Sequence, residues 1–340
     1  MNFFSNQLAI DLGTVNTLLY TKDRGIVVNE PSVVAVRLSD DLNEHVLAVG
    51  SEAKRMLGKT PDHIQIIRPL REGAVANIEA ACVMLKHLIE KACNCRKFIR
   101  LQTVIAVPSG ITQIELRAVR ESAQSAGAHR VILVEGTVAA ALGAGLPITK
   151  PVCSMVVDIG GGTTEVAVIS LSGVVSSRSI KVAGDLIDAA IQSYIKRNYH
   201  LLIGDRSAEL IKTAIGNAYP DPRNVVSVDV KGRDLKSGIP KILRFDSEEI
   251  RTAIAEQIEA IVQAVRATLE DIPPELSADV IDRGILLTGG GALLKNLDKL
   301  LGEKIGLPMT IPEDPFSTVV VGAARLLENM NGLTHFALKQ

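Results

Sequence analysis

Two short stretches of this chain repeat one another at about half its length. "DLGTVNT" runs from Asp11 to Thr17 and "DIGGGTT" from Asp158 to Thr164. Both read D-x-G-x-x-x-T, both follow an apolar strand and both precede another. One match of this kind is weak. Two, about 150 residues apart in a chain of 340, point to a duplicated fold with paired lobes. The length agrees, since it exceeds what one core usually organises. Hydrophobic residues make up 47% and aromatics only 3%, with no Trp, so the core must be aliphatic. A net charge of -1 gives no support for steering onto nucleic acid.

The hairpins have a chemical reading. Glycine weakens a strand interior, so three in a row at Gly160, Gly161 and Gly162 imply a need for bare backbone. Backbone N–H groups without a Cβ in the way can approach phosphate oxygens, and Thr and Asn side chains add donors. An aspartate at the end of each strand, Asp11 and Asp158, suits water around Mg²⁺, which keeps much of its hydration shell. A third element, "LLTGGGALL", sets Gly289, Gly290 and Gly291 between a strand and a helix, where a base and a phosphate could be admitted. Together they describe a clamp on a polyphosphate. No G-x-x-x-x-G-K-[ST] occurs, so it is not a P-loop.

The intervening pattern is that of an α/β chain. "QLAIDLG", "GIVVNEPSVVAV", "TVIAVPSG" and "RVILVEG" read as strands; "NIEAACVMLKHLIEKACN", "TQIELRAVRESAQSAGA" and "TVAAALGAGL" read as helices. "TPDHIQIIRPLREGAVAN" reads as loop-rich. "GLPITKPV" suits a hinge between halves. After the second hairpin comes a helix at "DLIDAAIQSYIKRNY". Alternating short strands follow from Tyr219 to Phe245, then a long helix with a possible capping box at Asp246 and Glu249, ended by Pro273 and Pro274. The four cysteines, Cys82, Cys93, Cys95 and Cys153, lack zinc-site spacing and read as reduced thiols. The N-terminus has no basic region followed by a long apolar run, and no stretch reaches the roughly 18 apolar residues of a spanning helix, so a soluble or peripheral protein is expected.

These motifs resemble the two phosphate loops and the adenosine loop of the actin/Hsp70/sugar-kinase superfamily. Within it, "GIVVNEPSVVA", "IRPLREG", "DIGGGTTEVAVISL", "AGDLIDAAI" and "LTGGGALLKNLDKLL" closely resemble the MreB family of bacterial actins, nearly end to end from Leu8 to about Asn329. The resemblance implies an actin-like (ribonuclease H-like) α/β fold: duplicated lobes, four subdomains, and ATP with Mg²⁺ in the cleft. It places the first lobe at 1–148, with a small insert at about 32–76 and a C-terminal return over 315–340. The second lobe takes 149–314, with an insert at about 184–245. By position, Gly13, Thr14, Val15 and Asn16 serve the phosphates from one side, and Gly160, Gly161, Gly162 and Thr163 from the other. Glu209 and Lys212 fall where the family meets ribose and base, and Gly289, Gly290, Gly291 and Ala292 close the site. An exposed helix face with an i,i+3 pair is the plainer reading of Glu209 and Lys212.

One departure concerns catalysis. The family's usual "EEP" is here Glu135-Gly136-Thr137, with Gly136 where the water-orienting glutamate belongs. Either Glu135 reaches in through Gly136, or hydrolysis is slow or lost. Glu135 and Thr163 are the catalytic candidates. Lesser departures are Val15, where Ala is commoner, and Asn77, where Asp is usual.

Phe3 and Phe4 at the terminus, and Phe98 and Ile99 within "CRKFIRL", suit shallow insertion at an anionic bilayer, or else belong to neighbouring strands. The family forms paired protofilaments at the inner face of the cytoplasmic membrane. It organises peptidoglycan synthesis and rod shape there, with membrane-bound wall-elongation partners such as MreC, MreD and RodZ. A filament sums many weak membrane contacts. A small-molecule phosphotransferase and a plasmid-segregating actin share the fold, which alone does not separate them. The chain shows no obvious substrate insert, and a Hsp70-like chaperone would need a peptide-binding domain.

Overall fold

The computed structural model describes residues 7–37, 46–93, 101–328 and 336–338. Phe3, Phe4, Phe98 and Ile99 lie outside these residues. Two five-stranded sheets dominate, and they share one plan. In the first, strand Gln7–Leu12 pairs antiparallel with Asn16–Thr21, which pairs with Gly25–Pro31. On its other side Gln7–Leu12 takes Leu101–Val107 in parallel, and Ala128–Glu135 follows, again parallel. In the second sheet Ser154–Ile159 holds the equivalent place. It lies antiparallel to Thr164–Ser170, which pairs with Gly173–Ile180, and parallel to Ile285–Thr288, which pairs with Met309–Thr310. Register repeats as well: Leu12 faces Thr17, and Ile159 faces Thr164. The repeated heptapeptide therefore marks a repeated sheet.

The central strands are covered on both faces, which is why "SMVVDI" and "TEVAVIS" are almost continuously apolar rather than alternating. Between the sheets lie two small-residue helices, Gly136–Gly143 and Thr318–Glu328. Ala139, Ala140, Val320 and Ala323 join Ala9 and Val104 of the first sheet, and Val156, Ala167 and Leu286 of the second, in one core. A Cβ at Gly143 would overlap the Thr318 carbonyl, and one at Gly322 the Ala139 carbonyl. Outside, helices Ile78–Cys93 and Gln113–Ser125 cover the first sheet, and Gly184–Tyr199 and Ser247–Glu270 the second.

The capping box at Asp246 is present: its Oδ1 accepts from the N–H of Glu248 (3.0 Å) and Glu249 (2.9 Å), and Glu249 Oε2 accepts from Asp246 N–H (3.2 Å). That helix ends at Glu270, and Pro274 opens the next, Pro274–Arg283. The segment read as loop-rich is more ordered than its sequence implies. It contains strands Ile64–Ile67, Leu70–Arg71 and Ala74–Val75, and a short helix, Ser51–Met56, precedes it. Ile64–Ile67 and Val46–Val49 flank Val34–Arg37 in a small sheet. Its counterpart in the other half is Leu201–Leu202, Ser227–Asp234 and Pro240–Asp246. Among the described residues no helix is long and apolar enough to cross a membrane, and Cys82, Cys93 and Cys153 are free thiols.

Candidate functional site

A cleft of about 750 Å³ opens between the halves. The two equivalent hairpin turns meet at its floor. Gly13, Thr14, Val15 and Asn16 line it from the first sheet, and Gly160, Gly161, Gly162 and Thr163 from the second. The first turn is braced from behind: Ser32 Oγ donates to the Gly13 carbonyl (2.6 Å), and Ser32 N–H to the Val15 carbonyl (2.8 Å). In the second, Gly160 N–H reaches the Thr163 carbonyl (2.9 Å), and Asp185 N–H, at the start of helix Gly184–Tyr199, reaches the Gly161 carbonyl (2.8 Å).

The need for bare backbone at Gly161 and Gly162 has a second source besides any ligand. A Cβ at Gly161 would overlap Val15 Cγ2, and one at Gly162 would stand 2.7 Å from Thr14 Oγ1. The turns press on each other, and only glycine permits that approach. The third glycine element also lines the cleft, through Gly289, Gly290 and Gly291. Gly289 has φ +82°, a left-handed conformation costly for other residues, and its Cα faces Asp158 and the Ile159 carbonyl. Ala292 is buried in the short 3₁₀ turn Gly290–Leu293 and does not line the cleft.

Asp11 and Asp158 sit on this floor. Burial and the charge of Asp158 push Asp11 up to about 7, and burial pushes Asp158 up to about 6. Neither has an ion-pair partner among the described residues. Two uncompensated carboxylates fit a divalent cation. Among the described residues no three His, Cys, Asp or Glu side chains cluster to hold a metal. The pair could hold a divalent cation through its water shell.

Glu209 and Lys212 line the cleft from helix Asp205–Ile215, but they do not pair with each other. Lys212 Nζ is held by Asp188 Oδ2 (2.8 Å) and the Gly184 carbonyl (3.0 Å). Glu209 Oε1 accepts from Lys54 Nζ across the cleft at 2.7 Å. Arg68, also lining the cleft, pairs with Asp185 at 3.6 Å and Asp205 at 3.8 Å; outside the lining, Glu72 pairs with Lys181 at 2.7 Å.

Glu135 ends strand Ala128–Glu135 and accepts from Ser109 Oγ at 3.3 Å. It is not among the residues lining the cleft, whereas Gly136 is. The carboxylate that does line this part is Glu165, which is 4% exposed. Its Oε2 accepts from Ser109 N–H (2.9 Å) and its Oε1 from Thr163 Oγ1 (3.5 Å). Burial pushes it up to about 8.

A family model described as MreB/Mbl protein matches residues 5–335. The chain belongs to the MreB/Mbl family. It is 51% identical over 328 residues to the cell shape-determining protein MreB of Escherichia coli K12, covering 96% of this chain and 94% of that one. It is 47% identical to the cell shape-determining protein Mbl of Bacillus subtilis, covering 97% and 98%. Among solved structures, MreB5 of Spiroplasma citri bound to ADP superimposes with a TM-score of 0.90 at 38% identity, covering 96% and 97%. A MamK double helical filament gives 0.80 at 25%, covering 95% and 99%. The fold is thus the actin-like one that the motifs imply.

Two features of this MreB/Mbl chain escape sequence reading. Glu165 hides inside a run of strand residues, and only its being the one charge in "TEVAVIS" marks it. The ion pairs at the mouth join residues far apart in sequence, such as Lys54 and Glu209, so no local pattern announces them.

Proposed function

We propose that this chain is an ATP-binding cytoskeletal protein. It forms membrane-associated filaments that maintain rod shape by organising peptidoglycan synthesis. The observation that carries this is the pair of equivalent hairpin turns, Gly13–Asn16 and Gly160–Thr163, facing one another across a single cleft with the Gly289 turn at its side. Backbone N–H groups and Thr14 would hold the phosphates, with Mg²⁺ held through water by Asp11 and Asp158. Gly289 to Gly291 would flank the adenosine. Glu209 and Lys212 lie where ribose would pass, and their present partners, Lys54 and Asp188, would share them with the nucleotide.

Support for the ligand comes from MreB5 of Spiroplasma citri, solved bound to ADP and to AMPPNP. Support for assembly comes from the MamK filament, and for the cellular role from the names of the curated relatives. The division into 1–148 with 315–340, and 149–314, each with its small insert, belongs to the same proposal. So do a place at the inner face of the cytoplasmic membrane, contact through Phe3, Phe4, Phe98 and Ile99, and docking of MreC, MreD and RodZ.

The test is co-sedimentation with anionic liposomes, with ATP and Mg²⁺ and without. Pelleting that needs both nucleotide and vesicles supports the reading. A folded chain that binds no adenine nucleotide overturns it.

A further inference from the structure

The duplication offers an internal control for every residue of the floor. Asp11 faces Leu18 across the first hairpin, and Asp158 faces Glu165 across the second. Leu18 and Glu165 are therefore the same position in the two copies. Leu18 is an ordinary core residue, 2% exposed. The fold thus forms at this position without a charge, and a buried carboxylate there is costly. We propose that Glu165 is the catalytic carboxylate of this cleft and orients the water that attacks the terminal phosphate of ATP. This rests on the ATP-binding reading above.

The geometry suits that role. Ser109 N–H fixes Oε2 from the first half, so the carboxylate is held rigidly where the halves meet. Among the described residues Oε1 is met by Thr163 Oγ1 at the long distance of 3.5 Å, and it can accept from a water on the cleft side. Gly136 leaves the adjacent wall bare. A Cβ there would meet the Val107 carbonyl at 3.5 Å and Glu165 Oε2 at 3.9 Å, which are ordinary contacts, so packing does not demand glycine. Glu135, its oxygen engaged by Ser109 Oγ, is not on that wall. In the step itself the water oxygen bonds to the γ-phosphorus as the bond from phosphorus to the β–γ bridging oxygen breaks. The electron pair leaves on ADP, and both water protons depart on inorganic phosphate.

The test compares wild type, Glu165→Gln and Glu135→Gln, measuring AMPPNP affinity and single-turnover phosphate release from ATP. Glu165→Gln is expected to keep AMPPNP affinity within about threefold and to lose release by about a hundredfold or more, a far larger loss than Glu135→Gln shows. A wild-type rate in Glu165→Gln overturns the proposal, as does loss of release in Glu135→Gln alone. Wild type that binds AMPPNP and releases nothing also overturns it, and leaves nucleotide binding standing. Wild type that binds no AMPPNP defeats the underlying reading instead. Glu165→Asp guards against a misfolded glutamine variant: it keeps the carboxyl group, withdraws it by one methylene, and should slow release while binding AMPPNP normally. A crystal structure with AMPPNP gives a readout free of turnover: an ordered water on Oε1 is expected, and a dry, fully packed Oε1 contradicts the role.

Discussion

At the residue scale the site is governed by close approach and by uncompensated charge. Gly161 and Val15 are in contact across the halves, so Gly161→Ala must push the two turns apart. The expected result is at least about a tenfold loss of ATP affinity by equilibrium titration, with the far-UV circular dichroism unchanged. The carboxylates give a pH signature. Asp158 stands near 6, Asp11 near 7 and Glu165 near 8, all above their ordinary values. Over that window the folded chain holds protons that the unfolded chain has released, so stability must fall as pH rises from about 4 to about 8. Without nucleotide or metal, the melting temperature is expected to be lower at about pH 8 than at about pH 6, and added Mg²⁺ should recover part of the loss at the higher pH. A flat profile would mean that these groups are solvated better than their positions imply. The glycines and aspartates are legible in sequence because they repeat. Glu165 is not, because its significance lies in what it faces across a strand pair.

At the element scale two contacts decide how the halves are joined. Helices Gly136–Gly143 and Thr318–Glu328 touch backbone to backbone at Gly143 and Gly322. Gly322→Val should cost about 1–3 kcal/mol or more, read as a lower denaturant midpoint, because neither helix can retreat without opening the shared core. Ion pairs from Lys54, Arg68 and Glu72 to Glu209, Asp185, Asp205 and Lys181 tie the first half to the second. Each is partly exposed and weak alone, about 0.2–1 kcal/mol. Removing Lys54 should speed release of a fluorescent ADP analogue about two- to fivefold, and added salt should narrow the difference from wild type. A release rate untouched by both would show that the mouth does not gate exchange. Long helices and buried strands are legible from periodicity. The strands Ile64–Ile67, Leu70–Arg71 and Ala74–Val75 are not: they are two to four residues long and set among prolines and glycines, the first existing through pairing with the distant Val34–Arg37 and the other two pairing with each other across a tight turn.

At the scale of the whole molecule, one sheet plan is used twice with the cleft between, and a single core of small side chains runs through both copies. Such an arrangement lets a ligand that touches both hairpins set the relation between the halves, and so the shape offered to a second copy. The half-chain repeat announces the two lobes, since duplication leaves its trace in sequence; the surfaces that would join one copy to the next leave none, because exposed residues carry no period. The direct test of this account is sedimentation of the purified chain with AMPPNP and Mg²⁺ against the same chain without nucleotide. Polymer that pellets only with nucleotide is the predicted result. A chain that binds AMPPNP in the cleft yet stays monomeric at every concentration would contradict it, and the clamp would then serve chemistry on a small molecule.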